Sequence, residues 1–198
     1  MILTPEELSS LSFLDEIFPT PIWGFDLKED LDSILHWINT QWENDNQGRK
    51  VSNIGGWQSH DYKDFSGTPI ESLTDRILKE SVPICAALGV PQSDRQVSNL
   101  WLNVNPKYAY NTVHVHPEAK LSGVFYVKGG EDSGKICFVR DNDFATNTVA
   151  PLDTRYSSSE WRYPPKENRL LIFPSWVKHH VMANLSDEER ISISFNVQ

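Results

Sequence analysis

Little in this 198-residue sequence points to a crosslinked, basic or membrane-embedded protein. Cysteine occurs twice, as Cys85 and Cys137, with no CxxC or other paired spacing. That excludes a disulfide framework or a cysteine-based zinc site as what holds the chain together. The two read as buried thiols in a reducing, cytoplasmic compartment. Positive charge is also short, since 18 Lys and Arg against 27 Asp and Glu leave a formal charge of -9. Nucleic-acid binders concentrate Lys and Arg, so no nucleic-acid partner is expected. Long apolar runs are missing as well. No stretch nears the length needed to cross a bilayer, and the opening MILTPEELSSLSFLDEIF has neither a basic n-region nor a continuous apolar h-region. The sequence therefore predicts no membrane attachment.

What is present is a chain long enough to bury a core, read most economically as a single domain over residues 1–198. Residues 1–95 are helix- and loop-rich. In LKEDLDSILHWINTQWEND (27–45), Leu31, Ile34, Leu35 and Ile38 recur at helical intervals behind Asp26 as N-cap. IESLTDRILKESVPICAALGV (70–90) repeats that period in Ile70, Leu73, Ile77 and Leu78, with an interruption near Pro83 and a stop at Gly89. GRKVSNIGGWQSHDYKDFSGTP, between them, reads as loop. From about Val97 the period changes to two. VSNLWLNVN, SGVFYV, KICFV, RLLIFP and RISISFNV are short, rich in β-branched and aromatic residues, and separated by Pro, Gly, Asn and Asp. Such strands without intervening helices predict a mainly β, α+β protein with N-terminal helices and a cupin-like jelly-roll core over 96–198. The helices would brace one sheet and leave the barrel mouth free for a ligand.

Four of the six histidines form two tight pairs, His114 with His116 and His179 with His180. His36, in a predicted helix, and His60, in a polar loop, read as ordinary. On an extended strand, residues i and i+2 point to one side, so His114 and His116 can face one metal ion. A single HxH is weak evidence, and His116 with Glu118 is an overlapping alternative across Pro117. The second pair falls on a turn between two late strands, which strengthens the metal reading. Arg190 and Ser192 open the last strand on one face, where a guanidinium and a hydroxyl can clamp a carboxylate. Alone, Arg190 would read as a surface charge.

The segments HVHPEAKLSGVFYV, FPSWVKHHVMANLSDEERISISFN and IFPTPIW resemble the iron(II)- and 2-oxoglutarate-dependent oxygenases, in a bacterial and phage branch distantly similar to prolyl hydroxylases. The resemblance covers the last hundred residues well and the N-terminal part more loosely. It implies a double-stranded β-helix core, Fe(II), 2-oxoglutarate and dioxygen as cosubstrates, and ascorbate as a stimulant. Its reaction would couple 2-oxoglutarate decarboxylation to hydroxylation of a peptide or small molecule, with peptidyl proline the first to test. His179 matches the distal metal ligand, with His180 a neighbour pointing away. Arg190 and Ser192 match the pair holding the distal carboxylate of 2-oxoglutarate, and Tyr126 matches a tyrosine reaching the same carboxylate. One position departs from the pattern. The wider superfamily uses His-x-Asp or His-x-Glu, whereas here His116 stands at the carboxylate position, giving His114, His116 and His179 as the metal set unless Glu118 replaces His114. Three neutral ligands would leave iron at +2 rather than +1. Trp101, Asn103, Tyr108 and Tyr110 precede the pair and are candidates for the substrate mouth. Two other classes compete: a cupin-type metal-binding jelly-roll acting as isomerase or non-catalytic sensor, and a structural β-sandwich with incidental histidines. Neither gives Arg190, Ser192 and Tyr126 a shared task.

Overall fold

The computed structural model describes residues 18–91, 96–141 and 158–198, so the reading of the first 17 residues lies outside it. The described residues form, in chain order, strand β1 (Trp23–Asp26), helix α1 (Leu31–Asn44), β2 (Asn53–Ile54), β3 (Trp57–Gln58) and helix α2 (Glu71–Ala87). There follow β4 (Val97–Asn105), β5 (Tyr110–His114), β6 (Leu121–Lys128), β7 (Ile136–Val139), β8 (Glu160–Tyr163), β9 (Arg169–Pro174), β10 (His179–Val181) and β11 (Arg190–Val197). All five strands expected from alternation are present. The histidine pair expected on a turn lies instead on the short strand β10, and the N-terminal half contributes three short strands besides its helices.

Strand pairing is antiparallel and builds two sheets, β1-β9-β6-β11-β4-β3 and β2-β5-β10-β7-β8. Their inner faces meet as a jelly-roll, with Val124, Tyr126, Leu171 and Phe173 of the first packing against Ile136 and Phe138 of the second. The outer face of the six-stranded sheet is covered by the helices. Ile34 and Ile38 of α1 and Leu73, Ile77 and Ile84 of α2 share one core with Leu100, Leu102, Ile193 and Phe195. Burying each such side chain contributes about 1.5–3 kcal/mol, which fixes register, because a one-residue slip would turn the apolar set to the other face. The alternate residues of β11 (Arg190, Ser192, Ser194, Asn196) and β4 (Asn99, Trp101, Asn103, Asn105) consequently line the space between the sheets.

Two helix boundaries differ from the periodicity. Helix α1 starts at Leu31, capped by Asp30, whose carboxylate accepts from the Ser33 amide at 3.2 Å and the Ser33 hydroxyl at 2.6 Å. Asp26 belongs to β1, where it pairs with Arg169 in register and accepts from its Nε at 2.9 Å. Sheet pairing to β9 outcompetes the cap there. Helix α2 runs through Pro83 without interruption. Pro83 is exposed, so the carbonyl it leaves without an amide partner can bind water. Both cysteines are free and buried, as their spacing predicts.

Gly123 of β6 sits where the neighbouring strands β9 and β11 crowd it closely. A Cβ there would lie 2.2 Å from Phe195 Cζ and 2.5 Å from the Leu171 carbonyl oxygen. Gly123→Ala should therefore destabilise the fold by about 1–3 kcal/mol through overpacking, read as a lower urea midpoint at unchanged slope.

Candidate active site

A cavity of about 360 Å³ lies between the sheets. At one side His114, the last residue of β5, pairs in register with His179 of β10, so the rings are brought together by strand pairing. Their centroids are 4.3 Å apart. His116 lies two residues past the strand, fixed by its amide donating to the Ser175 carbonyl at 3.0 Å. Its ring stacks on Trp101 at 5.6 Å and lies parallel to His179 at 5.1 Å. One nitrogen from each of the three rings falls within 4.8 Å of the others.

The hydrogen bonds fix which nitrogens face this point. His114 Nδ1 lies 2.7 Å from the Thr112 carbonyl and His179 Nδ1 lies 2.9 Å from the Val177 carbonyl. A carbonyl only accepts, so each Nδ1 carries the proton and each Nε2 presents a lone pair. His179 Nε2 sits 3.3 Å from His116 Nε2. Burial pushes His114 below its ordinary value. Burial, with His114 beside each, takes His116 down to about 4 and His179 to about 3. The rings are neutral near pH 7. Neutral imidazoles converging on one point fit a divalent transition metal, since a ligand must be unprotonated to bind.

Glu118 stands apart from this group. It is exposed, with φ of 74°, on the turn after Pro117. His180 faces the opposite side of β10, its Nε2 3.1 Å from Glu160 Oε1. Glu160 also accepts from Arg162 at 3.1 Å, and Cys137 completes that polar cluster. Burial pushes the Cys137 thiol up, which keeps it protonated. His36 and His60 are exposed elsewhere.

The cavity also reaches Arg190, which is only 1% exposed. Its Nη1 donates to the carbonyls of Ser133, Gly134 and Met182, while its Nη2 is buried with no partner among the described residues. Gly134 is needed there, because a Cβ would lie 2.4 Å from Nη1. Burial lowers the guanidinium to about 10, so it stays cationic at neutral pH. Tyr126 is buried beside it, with its hydroxyl pushed up and therefore protonated. Ser192 pairs in register with Tyr126 on one side and Asn103 on the other. A buried cation with an idle donor carries a desolvation cost that an anionic ligand would offset.

Of the residues proposed for the substrate mouth, Trp101 and Asn103 line the cavity. Tyr108 and Tyr110 are exposed and do not line it. The sequence does not single out several of the polar lining residues, among them Arg49, Gln58, Asn105 and Asn196. The alternation that carries Arg190 and Ser192 extends to Asn196 and could have located it. Nothing in the loop-like segment 48–69 signals that Arg49 and Gln58 turn inward.

A jelly-roll with converging imidazoles and a buried, unsatisfied cation in one cavity has the layout of an iron- and 2-oxoacid-dependent oxygenase. Residues 99–196 match the family described as "Putative 2OG-Fe(II) oxygenase", whose cofactors are Fe(II) and 2-oxoglutarate. No curated protein matches the chain in sequence. Solved structures share the fold at low identity. A Pseudomonas putida prolyl-4-hydroxylase is 17% identical with TM-score 0.63, over 89% of this chain and 92% of that one. A Trichoplax adhaerens prolyl hydroxylase, in complex with a hypoxia-inducible-factor peptide, is 13% identical with TM-score 0.63, over 89% and 82%. HygX from Streptomyces hygroscopicus, with nickel, 2-oxoglutarate and hygromycin B bound, is 10% identical with TM-score 0.58, over 98% and 87%. No helix among the described residues is long and apolar enough to cross a membrane.

Proposed function

We propose that the chain is a hydroxylase in which His114, His116 and His179 hold iron(II) and Arg190 holds the distal carboxylate of 2-oxoglutarate. The observation that carries this reading is the idle Nη2 of Arg190, buried in the same cavity as the three imidazoles. Iron(II), bound with 2-oxoglutarate and dioxygen, supplies the oxidative chemistry that yields succinate, carbon dioxide and a hydroxylated product. The chain's own residues orient and shield. The Thr112 and Val177 carbonyls hold the His114 and His179 rings with Nε2 inward. Ser192 and the protonated Tyr126 hydroxyl add hydrogen-bonding groups beside Arg190, suited to a carboxylate. Val124, Phe138 and Phe173 form an apolar wall that limits water.

A prolyl peptide is the first substrate to test, and a cytoplasmic location fits the two buried, unpaired thiols. The cupin-type alternative accounts for the imidazoles and leaves a buried cation unexplained. Succinate formation with iron(II), ascorbate and 2-oxoglutarate, with and without prolyl peptides, tests the reading. Absence of turnover together with absence of thermal stabilisation by 2-oxoglutarate would count decisively against it. Glu118→Ala should leave iron affinity within about twofold of wild type, because this exposed side chain lies outside the imidazole cluster. A large loss there would move the metal site to His116 and Glu118.

A further inference from the structure

The cavity has a second unsatisfied wall that neither the metal nor the cosubstrate uses. Strand β3 pairs with the free edge of β4, setting Gln58 beside Asn103 while Trp57 turns into the helix-covered core. Gln58 is 3% exposed and lines the cavity, yet its carboxamide makes no hydrogen bond to any described residue. Arg49 lines the same wall, and its buried Nε likewise has no partner among the described residues. Its charge is already matched, because Nη2 lies 2.7 Å from Asp61 Oδ1. Asn103 spends its Nδ2 on Ser194, leaving its carbonyl oxygen without a donor among the described residues.

Resting on the oxygenase reading, we infer that this wall binds the substrate through a neutral amide, with Gln58 and Arg49 as the residues that set specificity. Two features select an amide. Buried polar groups need partners, and this wall offers donors at Gln58 and Arg49 together with acceptors at Gln58 and Asn103. A planar group that donates at one atom and accepts at another answers all of them at once, whereas a carboxylate answers only the donors and a hydroxyl presents both functions at a single oxygen. The Arg49–Asp61 pair also leaves the corner without net charge, so it gives a carboxylate no electrostatic advantage to offset its desolvation. The matching chemistry is a carboxamide or a peptide bond.

Three probes separate the possibilities on zinc(II)-loaded protein with 2-oxoglutarate bound, using saturation-transfer NMR. They are N-acetyl-L-prolinamide, N-acetyl-L-proline and myo-inositol. The amide should bind more tightly than its carboxylate analogue, and the polyol should not bind. Gln58→Leu should weaken the amide by about 3- to 10-fold, the value of one or two lost hydrogen bonds. Its 2-oxoglutarate affinity, measured by calorimetry, should stay at the wild-type value. Gln58→Glu, which keeps the side-chain shape, should weaken the amide similarly and guards against misfolding of the leucine variant. Equal or tighter binding of the carboxylate or polyol, no binding of the amide, or indifference of the amide to both Gln58 variants would overturn the inference. Failure of wild-type protein to bind 2-oxoglutarate would instead overturn the oxygenase reading beneath it.

Discussion

Arg190→Ala is expected to weaken 2-oxoglutarate binding by about 30- to 3,000-fold while iron stays bound. Truncating one partner of a buried charge pair costs about 2–5 kcal/mol, and each 1.4 kcal/mol is a factor of ten. The side chain is 1% exposed, and no described carboxylate compensates its charge. Because Nη1 also ties down the Ser133 and Met182 carbonyls, the alanine variant loses structural bonds too. The diagnostic readout is the split between ligands, in which calorimetry shows the cosubstrate lost and elemental analysis shows iron retained. Arg190→Lys should fall between, keeping charge but lacking the forked donor. Wild-type affinity in the alanine variant would remove the clamp from the mechanism.

His179→Ala should cost the protein its iron, by more than about 100-fold in affinity. Losing merely the partner of a metal ligand typically costs about 10–100-fold, so losing a ligand costs more. His179 is the most buried of the three imidazoles and contacts both others, at 4.3 Å and 5.1 Å between centroids. His179→Gln, closer in volume, controls for the hole left against Phe173, 4.8 Å away. Cobalt(II) titration followed in the visible range gives affinity without dependence on turnover. His116→Asp should keep iron, since it replaces a neutral ligand by the carboxylate usual in the wider superfamily. Undiminished metal binding in both His179 variants would exclude the site as drawn.

Much of this was legible from periodicity. Strands β4, β6, β9 and β11 alternate visibly because one face packs under helices and the other turns to the space between the sheets, and β7 because Ile136 and Phe138 face that space from the second sheet. Strands β2 and β3 were not legible, because two residues cannot display a period and their pairing depends on distant partners such as Asn111 and Val104. That is why Arg49 and Gln58 escaped notice. Asp26 shows the other failure, in which a good local cap was taken by a long-range pairing to Arg169. Spacing singles out the histidines as candidates, although His114 and His116 converge for a reason spacing does not supply. His114 ends its strand, and His116 is placed beyond it by the Ser175 carbonyl and the Trp101 ring.

With Arg190 as the proposed clamp, the two faces of β11 would make cosubstrate affinity an instrument for reading the hidden side of the sheet. Ile191, Ile193, Phe195 and Val197 hold the strand under the helices, and Arg190 and Ser192 point into the cavity only because those four do not. A substitution deep beneath α1 or α2, far from any ligand, would register first as a drift in affinity at Arg190 and only later as a loss of folded protein. A change in the hydrophobic layer would then also be a change in how that proposed clamp is held.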